Sequence, residues 1–384
     1  MDIHQPLALL GGLSPATFMQ RHWHKKPLLV RQAVPGMRPL LDRQALFALA
    51  EREEVESRLV RLHRLRGVQQ WQLRHGPFSR RALPALKAPD WTLLVQGVDL
   101  HVSSVHALMR QFRFVPDARL DDLMISYAAD GGGVGPHFDS YDVFLLQAQG
   151  RRRWRIGPQR DFTLLEDVPL KILANFEAQQ EFVLEPGDML YLPPRYAHDG
   201  VAVGGDCMTY SIGFRAPRKG ELAQELLQRL AESADEAVGD GIYRDPRQAA
   251  VSAPAAIPQD LQIFAHAALQ AALRDPRAVA RALGEYLSEP KPSVWFEPQS
   301  PGQGAGGLLL NPQTRMLYDE HHIYINGESY RASGRDALLM RQLADTRTLT
   351  PAQWRQASTA AQELLQSWVE VGWLDPDPSH PNGR

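Results

Sequence analysis

The period of the apolar positions changes along the chain, and each change marks a different architecture. Ser14 to Trp23 (SPATFMQRHW) predicts a helix, with Ser14 as its N-cap and Pro15 at the first helical position. KKPLLVRQ then predicts a short strand. Ala45 to Val60 predicts a charged amphipathic helix, and the Arg/Leu alternation of Arg61 to Arg66 (RLHRLR) is that of a strand. From about Asp121 to Phe214 the texture becomes short strands separated by Gly and Pro: LMISYA, YDVFLLQAQ, RRRWRIG, EFVLEPGDMLYLP and CMTYSIGF. The expected turns lie at Gly131 to Gly133, Gly150, Pro186–Gly187 and Gly204–Gly205. Many short strands with regular turn signals predict a small antiparallel barrel or sandwich.

After Phe214 the period becomes helical. ELAQELLQRLAESADEA and DLQIFAHAALQAALR both repeat apolar residues every three or four positions. The stretch Arg244 to Pro258 breaks them, and a further boundary lies in the Pro- and Gly-rich run from Pro290 to Gly307. The last part predicts a hairpin (Met316 to Tyr318 with His322 to Ile325) and two helices (Arg335 to Ala344 and Pro351 to Val371). That is the make-up of a winged-helix-like module. The polar end, DPDPSHPNGR, is expected to fray.

Composition adds compartment and partner. The 384 residues suit two to three domains. A single cysteine, Cys207, excludes an intramolecular disulfide and a thiolate-built zinc site, and reads as a small buried apolar residue of a reducing compartment. No apolar run approaches the ~18 residues of a membrane span. The first residues lack the basic stretch of a secretory signal, so a cytoplasmic location is expected. The overall charge of −2 conceals a split: residues 1–90 hold 15 Lys and Arg against 7 Asp and Glu, while residues 91–215 and 216–384 are each net acidic. The basic first quarter is either a set of solvated arginines or a face for an anionic partner such as RNA.

The chemistry concentrates in GGGVGPHFDSYDVF. His137 and Asp139 are two apart, so on a strand both project from one face. A more distant histidine, His198 in YLPPRYAHDG, opens a later strand whose end can meet the first. Two histidines and a carboxylate form the facial triad of non-haem iron(II) oxygenases, which leaves positions open for a bidentate cosubstrate and O2. Isolated His-x-Asp pairs are commonly structural, and the added weight comes from Arg152. In RRRWRIG, Trp154 and Ile156 mark the inward face, so Arg152 points inward and Arg151, Arg153 and Arg155 outward. A buried guanidinium needs an anion. That anion is either a neighbouring Asp or Glu, or the far carboxylate of 2-oxoglutarate held by bidentate hydrogen bonds. Gly131 to Gly135 lacks the Gly-Lys-Ser/Thr of a phosphate loop and reads as a flexible turn. His22 and His24 lie at a helix end beside two lysines and are not expected to bind metal. His321 and His322 are expected at a surface or turn.

GGGVGPHFDSYDVFLLQAQGRRRWRIG, with YLPPRYAHDG downstream and WHKKPLLVRQA near the start, resembles the bacterial JmjC-type ribosomal oxygenases. Within that family it resembles the branch acting on an arginine of large-subunit ribosomal protein sixteen. The resemblance implies an α+β chain with a double-stranded β-helix (cupin/JmjC) oxygenase domain at 1–215. A helical dimerisation domain at 216–290 and a winged-helix-like domain at 291–384 follow. It implies an iron(II)- and 2-oxoglutarate-dependent dioxygenase that hydroxylates a protein side chain with O2, releasing succinate and CO2. His137, Asp139 and His198 would hold iron, Arg152 the distal carboxylate of 2-oxoglutarate, and Ser126 would assist in binding it. Tyr141 and Asp142, just after the metal pair, are candidates for the cationic substrate, although alternation puts Asp142 on the opposite face. The implied partners are a ribosomal protein, a second copy of the chain and, for the basic first quarter, ribosomal RNA. The same metal motif also serves histidyl hydroxylases and lysine demethylases. A non-enzymatic cupin with a nucleic-acid-binding winged helix is the remaining alternative, disfavoured by the acidic C-terminal part.

Overall fold

Ser14 caps the first helix as its position predicts: its hydroxyl accepts from the Thr17 N–H at 3.2 Å and Pro15 opens α1 (Pro15–Arg21). The computed structural model describes residues 2–65, 68–298 and 307–377. Residues 299–306 of the expected boundary at 290–307 fall outside these residues, as does most of the polar tail. The chain divides into two units, Met1–Ala216 and Pro217–Arg384, and residues 216–290 and 291–384 both fall within the second apart from Ala216 itself.

In the first unit α1 leads to β1 (Leu28–Val30) and α2 (Arg43–Leu49). The expected helix 45–60 is shorter than its pattern. Ala50 ends α2, the chain turns through Glu51–Val55, and Ser57 begins a strand. Backbone pairing with a sheet here overrides the local helical preference of an acidic run. β2 (Ser57–Leu65) and β3 (Val68–His75) form a hairpin, and β4 (Trp91–Val95), α3 (Ser103–Met109) and β5 (Leu120–Ala128) follow. β6 (Val143–Pro158), β7 (Gln180–Leu184), β8 (Met189–Leu192) and β9 (Tyr196–Phe214) complete a nine-stranded sheet with the order β1-β8-β6-β9-β5-β4-β2-β3, β7 pairing with β6. Every pairing is antiparallel. This is the expected cupin-like double-stranded β-helix.

The two strands expected on either side of Gly150 are one. β6 runs through Gly150, which sits at φ +65°, and its register against β9 shifts between Gln147 and Gln149 and again between Gln149 and Arg151. The first half pairs with β8 and the second with β7, so a single bent strand serves both layers. The bulge also changes the phase. Val143 and Leu145 share one small core with Trp154 and Ile156, odd numbers before the bulge and even numbers after it. A larger core behind the sheet is built around Phe18, Trp91, Phe112, Phe144 and Tyr191. Cys207 is fully buried, as expected.

The second unit holds α4 (Lys219–Glu232), α5 (Ala234–Val238), α6 (Gln259–Ala272) and α7 (Pro276–Ser288). α7 is a helix beyond the two that the apolar period predicts. Beyond them β10 (Leu308–Leu310), β11 (Met316–Tyr318), β12 (His322–Ile325) and β13 (Glu328–Arg331) lead into α8 (Gly334–Thr346), β14 (Thr348–Leu349), α9 (Pro351–Gln356), α10 (Thr359–Glu370) and β15 (Leu374–Pro376). The expected helix 351–371 is two helices, because Ala357 is extended and Ser358 caps α10. A core around Met340, Leu343, Leu365 and Trp368 joins these elements into the winged-helix-like module. Among the described residues no helix is long and apolar enough to cross a membrane.

Candidate metal and cosubstrate site

His137 lies just before β6 and His198 at the start of β9, 61 residues apart in sequence, and an isolated antiparallel bridge joins them. The N–H of each donates to the carbonyl of the other, at 2.9 and 2.8 Å. The loop that brings His137 there is not the flexible turn its glycines suggest. A Cβ on Gly133 would lie 2.7 Å from the Gly200 carbonyl and one on Gly132 2.3 Å from the Trp91 carbonyl, so the glycines allow backbone to pack on backbone. Asp139 is held from behind, its carbonyl accepting the Arg195 N–H at 2.7 Å.

The result is a cluster of His137, Asp139 and His198 whose ligand-type atoms all lie within 4.8 Å of one another. His137 Nδ1 is 2.9 Å from the Gly135 carbonyl and His198 Nδ1 is 3.0 Å from the Tyr196 carbonyl. Each contact turns Nε2 toward the cluster, and His198 Nε2 is 3.6 Å from Asp139 Oδ2. Burial, with His137 beside it, pushes the His198 imidazole down to about 4. At neutral pH its ring is therefore uncharged and keeps the lone pair that ligation needs.

A cavity of about 440 Å³ opens from this cluster. Arg152 points into it and is only 5% exposed, as strand alternation predicts, while Arg151 and Arg153 are exposed. Among the described residues no carboxylate takes up Arg152: its Nε and Nη2 are buried without a hydrogen-bond partner, and its guanidinium lies 5.6 Å from the centre of the Trp154 ring. The Arg155 side chain instead pairs with Asp199 at 2.5 Å. Ser126, 2% exposed, also lines the cavity, its hydroxyl 3.4 Å from the Thr209 carbonyl. A buried guanidinium with unpaired donors, in one cavity with two imidazoles and a carboxylate, fits a metal chelated by a dicarboxylate.

The two remaining candidates separate. Tyr141 lines the cavity and is 38% exposed at its mouth. Asp142 does not line it. Its fully buried carboxylate turns behind the sheet, where it accepts from Tyr191 Oη at 2.5 Å and lies 3.0 Å from His24 Nε2. It ties α1's end to the barrel, which also accounts for His24. Reasoning from sequence missed Asp122, whose carboxylate lines the cavity and accepts from the Gly97 N–H at 3.0 Å and Gln96 Nε2 at 3.4 Å. The signal was present: Asp122, Met124 and Ser126 share a face of β5, and all three line the cavity.

Comparison with known proteins agrees with this architecture. A JmjC domain family matches residues 107–222 and a ROXA-like winged-helix family matches residues 270–375. The chain is 36% identical over 339 residues to an Escherichia coli (strain K12) protein named ribosomal protein uL16 3-hydroxylase, spanning 84% of this chain and 86% of that one. The crystal structure of E. coli YcfD superposes with a TM-score of 0.82 at 32% identity, covering 94% of this chain and 98% of that one. The structure of that ribosomal oxygenase in complex with cobalt and 2-oxoglutarate superposes with a TM-score of 0.77 at 32% identity, with the same coverage.

Proposed function

Because the chain belongs to the JmjC-type ribosomal oxygenases, we propose that it is an iron(II)- and 2-oxoglutarate-dependent dioxygenase that hydroxylates an arginine side chain of ribosomal protein uL16. The observation that carries this is Arg152, a buried guanidinium with unpaired donors in the same cavity as His137, Asp139 and His198. The relatives' names and complexes supply the substrate and cosubstrate, cobalt there standing in for iron.

On this reading His137, Asp139 and His198 hold the metal and Arg152 binds the distal carboxylate of 2-oxoglutarate, with Ser126 beside it. The chemistry gained with iron(II) is the oxidative decarboxylation of 2-oxoglutarate by O2, to succinate and CO2, coupled to hydroxylation of a substrate C–H bond. The protein's own part is orientation and exclusion of water. Val143, Leu145 and Trp154 give the cavity a dry apolar wall. Tyr141 offers a ring face at the cavity's mouth and the buried Asp122 a carboxylate in its lining, which together suit a cationic side chain better than a neutral imidazole.

We assign residues 1–215 to the oxygenase domain, 216–290 to self-association and 291–384 to the winged-helix domain. The self-association segment supports a homodimer: Ile263 and Leu269 on α6 are 57% and 63% exposed in the single chain. A ribosomal target fits a cytoplasmic enzyme and would give the basic first 90 residues a contact in ribosomal RNA. The functional test is succinate release from iron(II), 2-oxoglutarate and O2 with and without purified uL16. Release stimulated by uL16 supports the reading. Release stimulated only by methylated lysine peptides, with formaldehyde, would replace it with demethylation.

A further inference from the structure

The second unit contains a cavity of about 640 Å³ that the proposed oxygenase chemistry does not use. Arg277 reaches it from the first turn of α7, Arg331 from the end of β13 and Arg341 from α8, with His321 and His322 at the start of β12. Arg341 is fixed in place: its Nη2 donates to the carbonyls of Asp319 and Glu320 at 3.1 and 2.8 Å, and its Nε is buried without a partner. Arg277 and Arg331 reach no carboxylate among the described residues. His322 is nearly fully buried and its Nδ1 makes no hydrogen bond, the nearest carboxylate oxygen, on Asp319, lying 3.5 Å away.

The helix that borders the cavity adds backbone donors. α8 begins at Gly334, a lining residue, and its N-cap Ser333 makes no side-chain capping bond, so the N–H groups of the first turn have no side-chain acceptor. Among the lining residues Glu320 is the carboxylate; the guanidiniums outnumber it three to one. Converging like charges repel unless an anion lies between them. Arginine forks together with an uncapped helix N-terminus match the three or more acceptor oxygens of a phosphate better than the two of a carboxylate.

We propose that this cavity is a phosphate-binding site of the winged-helix unit, taking either a free phosphate or a backbone phosphate of RNA. The site is independent of the oxygenase reading. The test uses the full-length chain, with inorganic phosphate followed by ³¹P NMR and a short labelled single-stranded RNA followed by fluorescence anisotropy. Wild type binds phosphate saturably, Arg277→Gln/Arg331→Gln weakens it on the order of tenfold, and Glu320→Gln tightens it. Both arginines are exposed, so the double variant keeps the wild-type melting temperature. RNA affinity that falls in parallel identifies a backbone phosphate as the ligand, and RNA affinity that does not change identifies a free phosphate. Absence of saturable phosphate binding, or phosphate binding that the substitutions leave unaltered, overturns the proposal.

Discussion

Arg152 shows how much one side chain can state. Its inward direction is legible from the alternation of RRRWRIG, and the structure adds that its buried Nε and Nη2 have no hydrogen-bond partner among the described residues. Arg152→Ala is therefore expected to weaken 2-oxoglutarate binding on the order of 100-fold, the range for removing one partner of a buried charge pair. Metal affinity should stay at the wild-type value. Calorimetric titration with 2-oxoglutarate, and separately with manganese(II), checks both halves. Asp142 makes the opposite case. Its place just after the metal pair suggests a substrate contact, yet its own strand parity turns it away, and Tyr191 and His24 occupy it. Asp142→Ala should cost about 3 kcal/mol or more in urea unfolding while leaving the 2-oxoglutarate dissociation constant unchanged. A stable variant with impaired cosubstrate binding would return Asp142 to the site.

At the scale of elements, what was legible followed from local pattern, and what was not came from pairing between distant strands. The cap at Ser14, the strand at Leu28–Val30 and the hairpin of β11 and β12 needed only neighbours in sequence. β6 did not: Gly150 looks like a turn, and only the demand that one strand pair with β8, β7 and β9 makes it a bulge. The helix expected at 45–60 yielded for the same reason, its second half being drawn into β2. Asp122 lies outside the His-x-Asp motif, and only the shared face of β5 points to it. Gly200 carries a similar hidden constraint. A Cβ there would lie 2.5 Å from the Trp154 ring, two residues after His198. Gly200→Ala is expected to destabilise the barrel by about 1–3 kcal/mol through overpacking and to weaken metal binding as β9 shifts. Denaturant unfolding of the metal-free protein and a metal titration measure the two effects.

At the scale of the molecule, composition alone foretold two to three domains, and the resemblance named them, while the contacts group the chain into two units. The exposed apolar side chains of α6 lie in the segment assigned to self-association. Light scattering at micromolar concentration should report a dimer for the wild type and a monomer for Ile263→Glu/Leu269→Glu, and a monomeric wild type would remove that role. On the proposed reading the charge split would acquire a sense as well, a ribosomal protein being a basic partner for the two acidic portions and RNA an anionic one for the first 90 residues. The central claim is hydroxylation of an arginine, and intact-mass and fragment-ion analysis of uL16 after incubation with the enzyme, iron(II), 2-oxoglutarate and O2 tests it most directly. The account predicts a gain of one oxygen atom localised to a single arginine, abolished by Asp139→Ala. No mass gain, or an oxygen placed on a histidine, would contradict it.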